Sequence, residues 1–451
     1  MTQKVFSIDT QPGIQRDGTV LDKQFYNDGR WVRFQRGRPR KIGGFKVISG
    51  DLKGPSRGIW INSQNNFTSI FSGYSDGLQV LTIDDNGIGA GIQDFTLSDF
   101  TASPLNLWQF DGFFDVGGAG VQNLVAHPGQ NLFSVDDTND TPVLIGDING
   151  TTMSQIGVFT DTITADGSST VTIAAINTLI GAGQTVTGTG IPADTVVVSV
   201  SGTTVELSNN VPAGSVTATF NNDVVVSGGV VVLHPYVFVY GNNGLIRNCS
   251  AGNAQDWVSA DANAVNVATG KIVQGLPVRG GSNSPSGLFW SLDSLVRVSY
   301  APQSLGVPGT ADYAPPTFWR YDIISSQTSI MSSQCVIEYD GIYYWCGVDR
   351  FLLYNGTVKE IPNSMNQNYF FDNLNYSQRQ KVWAQKVPRY GEIWWFYPRG
   401  DSTECNDAII YNVRENTWYD AGQAAGARRT AGYFSQVFAY PIASTWPATV
   451  A

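Results

Sequence analysis

The chain has 451 residues, 42% of them hydrophobic and only 14% charged, with 49 glycines, 12 tryptophans, 19 tyrosines and 23 phenylalanines. That balance excludes a disordered chain. Four cysteines are too few for a disulfide scaffold, and the longest apolar stretch, Val224 to Val232, is short and broken by Ser227, Gly228 and Gly229, which excludes a membrane-spanning helix.

The net charge of −10 hides a partition. Residues 1–57 carry 12 Lys/Arg against 5 Asp/Glu, residues 58–246 carry 16 acidic residues and no Lys or Arg, and residues 247–451 are nearly balanced at 15 against 16. Such asymmetry assigns different electrostatic roles to the three regions.

The N-terminus, MTQKVFSIDTQP, has no apolar run of the kind a signal peptide needs, so synthesis in the cytoplasm is expected. Residues 1–57 then form a basic segment in which Arg30, Arg33, Arg36, Arg38, Arg40, Lys41 and Lys46 alternate with aromatic and aliphatic residues. Cations in that pattern can neutralise phosphates, but they equally suit a strand docked on an acidic partner or on the chain's own acidic middle. We take these seven as the candidate partner-docking residues.

From residue 58 a repeat emerges. Each unit is a hairpin with an aromatic or apolar first strand, a turn containing Asp, Asn or Gly, and an alternating second strand. The turns fall at Asp76, Gly129, Asn243, Asp293, Asp349 and near Thr403, giving steps of 53, 114, 50, 56 and 54 residues. Six units near this period predict a mainly all-β, six-bladed propeller-like body built from four-stranded sheets. Asp340-Gly341 and Asn355-Gly356 supply further two-residue turns.

The long second step contains about 60 extra residues. There the composition changes to Thr, Val, Ser and Gly, and aromatics almost vanish between Phe159 and Phe220. We therefore expect the propeller to begin over 58–157, an inserted small β-sandwich domain to occupy 158–222, and the propeller to resume and finish over 223–451. The stretch 364–386 lacks Gly and Pro and spaces Phe370, Leu374, Tyr376 and Val382 for one or two short helices.

Chemistry-bearing motifs are sparse. The two histidines, His127 and His234, each precede a proline and offer little material for a metal site or a catalytic triad. The run DDTNDT at 136–141 has Thr141 where a calcium loop needs its turning glycine. The run GIGAGI at 87–92 lacks the third glycine of a dinucleotide fingerprint, and there is no phosphate loop. No catalytic, metal or cofactor residues are therefore assigned, and the chain is not expected to be an enzyme. Cys335 and Cys346 are equidistant from the Asp340-Gly341 turn and should face each other across a hairpin, as buried thiols or as a bridge.

Several segments resemble a known family. DGRWVRFQRGRPRKIGGF (28–45) resembles the opening of tail proteins of short-tailed bacteriophages. FFDNLNYSQRQKVWA (370–384), EIWWFYP (392–398) and AIIYNVRENTWYDAG (408–422) resemble phage tail nozzle proteins, also called packaged-DNA stabilisation proteins. GTGIPADTVVVSVSGTTVELSNN (188–210) is similar to small β modules of phage virion proteins. The resemblance implies a virion protein assembled in the host cytoplasm. Its expected form is a homohexameric ring that extends the DNA channel below the tail adaptor, retains packaged DNA and opens for ejection at the host envelope. The partners it implies are the adaptor, tail fibres or spikes, a needle or plug protein, and double-stranded DNA passing without sequence readout. An acidic wall would let DNA pass without adhering, because each basic contact gains counterion-release free energy. A glycan-binding or glycan-degrading propeller is the alternative reading, using exposed Trp60, Trp108 and Trp418 for binding or two converging carboxylates for hydrolysis. Another virion surface protein is a further one.

Overall fold

The structure, a computed structural model, describes residues 10–19, 24–49, 52–64, 67–83, 89–95, 107–115, 120–135, 153–279, 284–305, 314–445 and 449–450. It is mostly β, and its sheets are antiparallel except for the parallel pair Gln11–Ile14 and Phe25–Tyr26. The chain divides into two compact units, residues 1–108 with 327–451 and residues 109–326.

The first unit contains three four-stranded sheets. Ser56–Gln64, Phe67–Tyr74, Gly77–Ile83 and Gly89–Asp94 form the first. Val336–Tyr339, Ile342–Cys346, Phe351–Tyr354 and Val358–Glu360 form another, and Trp383–Val387, Glu392–Tyr397, Asp407–Asn412 and Thr417–Asp420 a third. The three-stranded sheet Arg429–Tyr433, Ile442–Thr445 and Thr449–Val450 also belongs to the unit, with Ala431 and Ile442 packed on Ile59, Ile61, Ile70 and Leu81 of the first sheet.

The second unit contains three more sheets of the same kind: Gln109–Asp115, Gly120–Ala126, Phe133–Val135 and Met153–Gln155; Gly229–Leu233, Tyr236–Tyr240, Leu245–Asn248 and Asn263–Asn266; and Ile272–Pro277, Ser286–Ser291, Leu295–Leu305 and Ala314–Ser325. In all six, successive strands of the sheet are neighbours, except that the short strand Gln130–Asn131 leaves its sheet to pair with Val225–Val226. Each of the six repeat hairpins supplies the second and third strands of one sheet. The Asp340-Gly341 turn shows the local cause: both residues have positive φ, 52° and 77°, as the tightest hairpin connection requires.

The Trp383–Asp420 sheet buries both faces. Glu392–Tyr397, Asp407–Asn412 and Thr417–Asp420 are buried at every position. Strands sandwiched between two layers need large side chains to span the gap, and Trp383, Trp395, Tyr397 and Tyr419 fill it. Gly73 is where the chain backbone must come close to a ring: a Cβ there would meet Trp108 at 2.1 Å.

The segment expected to be a sandwich folds differently. Val158–Ala165, Thr170–Ile173, Thr185–Gly188, Val197–Ser201, Thr204–Leu207 and Gly214–Asn221 form one six-stranded sheet. It curls until its outermost strands bond to each other, Val186 N–H donating to Thr195 O at 2.8 Å and Val197 N–H to Gln184 O at 2.9 Å. One sheet therefore encloses the aliphatic core of Ile163, Val171, Val186, Val197, Val205 and Phe220, and no second sheet is needed. Its entry and exit, Val158 and Asn221, are register partners, and Phe159 stacks on Phe220 at 5.6 Å.

The expected helical crossing is a short α-helix, Gln367–Asn373, followed by a 3-10 turn, Tyr376–Lys381. All four cysteines are free and buried. The Cys335 thiol donates to Cys346 O at 3.3 Å, and burial pushes the Cys249 thiol up to about 12.

Candidate functional site

The basic strip folds as a hairpin of Val32–Gln35 and Arg38–Lys41, with Gln35 opposite Arg38 and Arg33 opposite Arg40. The two turn residues, Arg36 and Gly37, have φ of 53° and 72°, so glycine supplies one left-handed position and an arginine is held in the other. Phe34 and Ile42 enter the core of the Trp383–Asp420 sheet beside Trp394, Phe396 and Tyr419, and Trp31 meets Trp394 edge-on at 5.7 Å. Burying such side chains contributes roughly 1.5–3 kcal/mol each.

Two carboxylates clamp the hairpin. At its stem, Arg33 Nη2 donates to Glu392 Oε2 at 2.9 Å while Nε lies 2.9 Å from Oε1, and both side chains are buried. Glu392 also accepts from Trp394 Nε1 at 2.9 Å and Tyr419 Oη at 2.7 Å. Burial, with the Glu392 charge beside it, pushes the Tyr419 phenol well above its ordinary range. The Arg33 guanidinium lies over the Tyr390 ring at 3.5 Å. At the tip, the Glu415 carboxylate accepts the Arg36 and Gly37 backbone N–H groups.

Arg33 therefore does not belong to the displayed cations. It is spent inside the protein, because a buried guanidinium needs an equally buried carboxylate. Arg36, Arg38, Arg40, Lys41 and Lys46 are exposed and make no ion pair among the described residues. Arg30 is also exposed, its Nη2 3.4 Å from Gln423 O. The hairpin is thus a fixed platform whose inner strand is neutralised and whose turn and exposed strand are cationic. Pro39, which has no N–H, sits on the outer strand of this two-stranded sheet. A prolyl edge carrying cations is a poor template for another strand, so the platform reads charge.

Among the described residues of the N-terminal segment, Arg16, Asp17 and Arg57 are also stapled to the C-terminal part of the chain. Arg16 donates to both Asp420 oxygens at 2.9 Å, and the hydrogen bonds to Asp420 raise the affinity of the guanidinium for its proton further. Asp17 accepts the Asn368 and Tyr369 N–H groups at 2.8 and 2.9 Å, capping the short helix. Arg57 pairs with Glu404 at 2.6 Å. None of these acceptors is signalled locally in the sequence: Glu392 is 359 residues from Arg33 and Asp420 is 404 from Arg16.

The three tryptophans named for glycan binding are not exposed. Trp108 and Trp418 are buried, their indole N–H groups held by Tyr74 O and Pro362 O, and Trp60 is half-buried. Asp407 and Asp420 are electrostatically coupled, and burial plus the Asp420 charge pushes Asp407 up to about 6. Yet both are enclosed, Asp420 by Arg16 and Asp407 by Arg399 at 3.2 Å, which is a structural arrangement. His127 is buried and held neutral by desolvation, which lowers it to about 4, and His234 is exposed. Among the described residues, no three His, Cys, Asp or Glu side chains gather as a metal site would need. The run 136–141 lies outside the described residues.

No protein-family model matches the chain, and no curated protein matches it.

Proposed function

We propose that the chain is the subunit of a tail nozzle of a short-tailed bacteriophage. In this reading six copies form a ring below the adaptor, prolong the DNA channel, retain the packaged genome, open for ejection and offer docking surfaces to fibres or spikes. The six four-stranded sheets are the blades of a propeller body. The curled sheet is a module carried between the strands Met153–Gln155 and Gly229–Leu233.

One observation carries the reading. The segments that resemble the family are far apart in sequence, 28–45 and 370–422, yet they build a single assembly in which the hairpin is clamped on the Trp383–Asp420 sheet. What that assembly displays is a rigid set of unneutralised cations, a device for gripping an acidic partner such as an adaptor or a neighbouring subunit. The long Lys/Arg-free stretch agrees with a wall past which DNA must slide.

Native mass spectrometry of the purified chain, alone and mixed with the portal–adaptor complex of the same particle, tests the proposal. Six copies captured per complex are expected. A persistent monomer that ignores the complex would remove the nozzle reading.

A further inference from the structure

The curled sheet has two chemically different ends. Its strands Val158–Ala165, Thr185–Gly188 and Thr204–Leu207 run one way and the other three run back, so the connections 166–169, 189–196 and 208–213 all lie at one end. Hydrogen bonds join these connections: Val211 N–H donates to Ser168 O at 3.0 Å, and Asn209 Nδ2 to Thr195 Oγ1 at 3.2 Å. The opposite end is the root. There Asn222 Nδ2 donates to Gly157 O at 3.1 Å, Gln184 Nε2 to Asn222 Oδ1 at 3.0 Å, and Gly157 N–H to Gln255 Oε1 at 2.7 Å.

The free end is acidic. Asp166 and Asp194 lie on its connections, and Glu206 stands near the end of its strand opposite Thr170. All three are exposed and form no ion pair among the described residues, in a module without a single Lys or Arg. Asp166 accepts from Ser168 Oγ at 2.6 Å and from Ser168 N–H at 3.0 Å, bonds that hold its carboxyl below the usual range. The outermost strands of the curled sheet meet at the Thr185–Val196 bridge, and the carboxylates stand beyond it on the connections and the Thr204–Leu207 strand, where side-chain charge is what a partner meets.

We propose that the cationic turn and exposed strand of the hairpin of one copy, Arg36, Arg38, Arg40 and Lys41, dock on the acidic end of the curled sheet, Asp166, Asp194 and Glu206, in a second copy of the chain. The two surfaces are unlike and complementary, so the contact is head-to-tail, the kind of contact that closes into a ring when the rotation fits. Each copy supplies one of each surface, so no third component is needed. Both are held rigidly, the hairpin by Glu392 and Glu415 and the acidic end by its own hydrogen-bonded connections, which keeps the ordering cost of docking low. The inference rests on the proposed ring and names the contact between its neighbours.

Charge exchange tests it. Arg38→Glu, Arg40→Glu and Lys41→Glu take the four hairpin cations from +4 to −2, and Thr170→Lys, Ser199→Lys and Glu206→Lys take the acidic end from −3 to +1. All six positions are exposed, and unchanged near-ultraviolet circular dichroism and melting will verify that each variant folds. Native mass spectrometry across a concentration series should show oligomers for the natural sequence. Each set alone should shift assembly to at least about tenfold higher concentration, with a salt-sensitive association rate, and both sets in one chain should recover assembly. Oligomers indifferent to the hairpin set would overturn the proposal. So would weakened assembly with the hairpin set but unchanged assembly with the acidic-end set, which would place the hairpin's partner elsewhere. Gel retardation of duplex DNA by the natural hairpin, lost with the hairpin set, together with no effect of the acidic-end set, would assign the cations to phosphate and also overturn it. A natural chain that stays monomeric at every concentration contradicts this contact, while capture by the portal–adaptor complex would still preserve the nozzle reading.

Discussion

The curled sheet and the Trp383–Asp420 sheet are both antiparallel β-structure, but they solve the problem of burial in opposite ways. The curled sheet has one inside: Val158–Ala165 alternates between exposed and buried positions towards its end, and the core is made of β-branched residues. The flat sheet has two insides, so its strands are buried continuously and filled with indole and phenol rings. A closed sheet needs only its own side chains, whereas a flat one depends on the layers above and below. Self-sufficiency against dependence is the difference, and it can be probed by mutation.

The largest effect should come from the flat sheet. Trp395 is fully buried, its N–H donates to Cys335 O at 2.9 Å, and its ring packs on Phe351 and Trp418. Trp395→Ala should cost about 5 kcal/mol, read from denaturant midpoints, and should loosen the neighbouring sheet as well. Next, Arg33→Met leaves Glu392 charged and buried, at about 4 kcal/mol, and adding Glu392→Gln should recover part of the loss. An additive double variant would contradict the pairing.

In the curled sheet, Ile163→Ala should cost about 3 kcal/mol, with faster hydrogen exchange confined to 158–221. Excising 159–220 should leave the remaining sheets folded, because Val158 and Asn221 are already paired neighbours. General loss of protection in either variant would refute self-sufficiency.

The pH dependence sharpens the same contrast. Asp407 is raised to about 6 from an ordinary value near 4, so the folded state binds its proton more tightly than the unfolded chain. Its contribution to stability is greatest below pH 4 and falls away as pH rises to about 6, by a total of order 2–3 kcal/mol. The difference in stability between the natural protein and Asp407→Asn should therefore change across pH 4 to 6 and level off above it. Arg40→Ala, on the exposed strand of the hairpin, should stay within about 0.5 kcal/mol.

Local features of the fold were legible where local chemistry decides them. The Asp76-Gly77 turn marks the centre of its sheet, Asp340-Gly341 marks the first hairpin of another with backbone angles few residues tolerate, and the change in composition at Phe159 and Phe220 marks the curled sheet. The closure of that sheet was not legible, since bonding between Thr185 and Val196 depends on stagger and not on residue type. The three-stranded sheet at 429–450 has no repeat signal of its own. Within the basic strip, composition located the hairpin but could not separate Arg33 from Arg40. They face each other across two strands, and only the arrival of Glu392 makes one internal and leaves the other displayed.

The proposed nozzle role is tested most directly by electron cryomicroscopy of the isolated tail of a short-tailed phage whose genome encodes this chain. The account predicts six copies around the tail axis on the distal side of the adaptor, each with its four-stranded sheets in a propeller. Copies placed off the axis, a different symmetry such as a trimeric spike, or absence of the chain from the tail would contradict it.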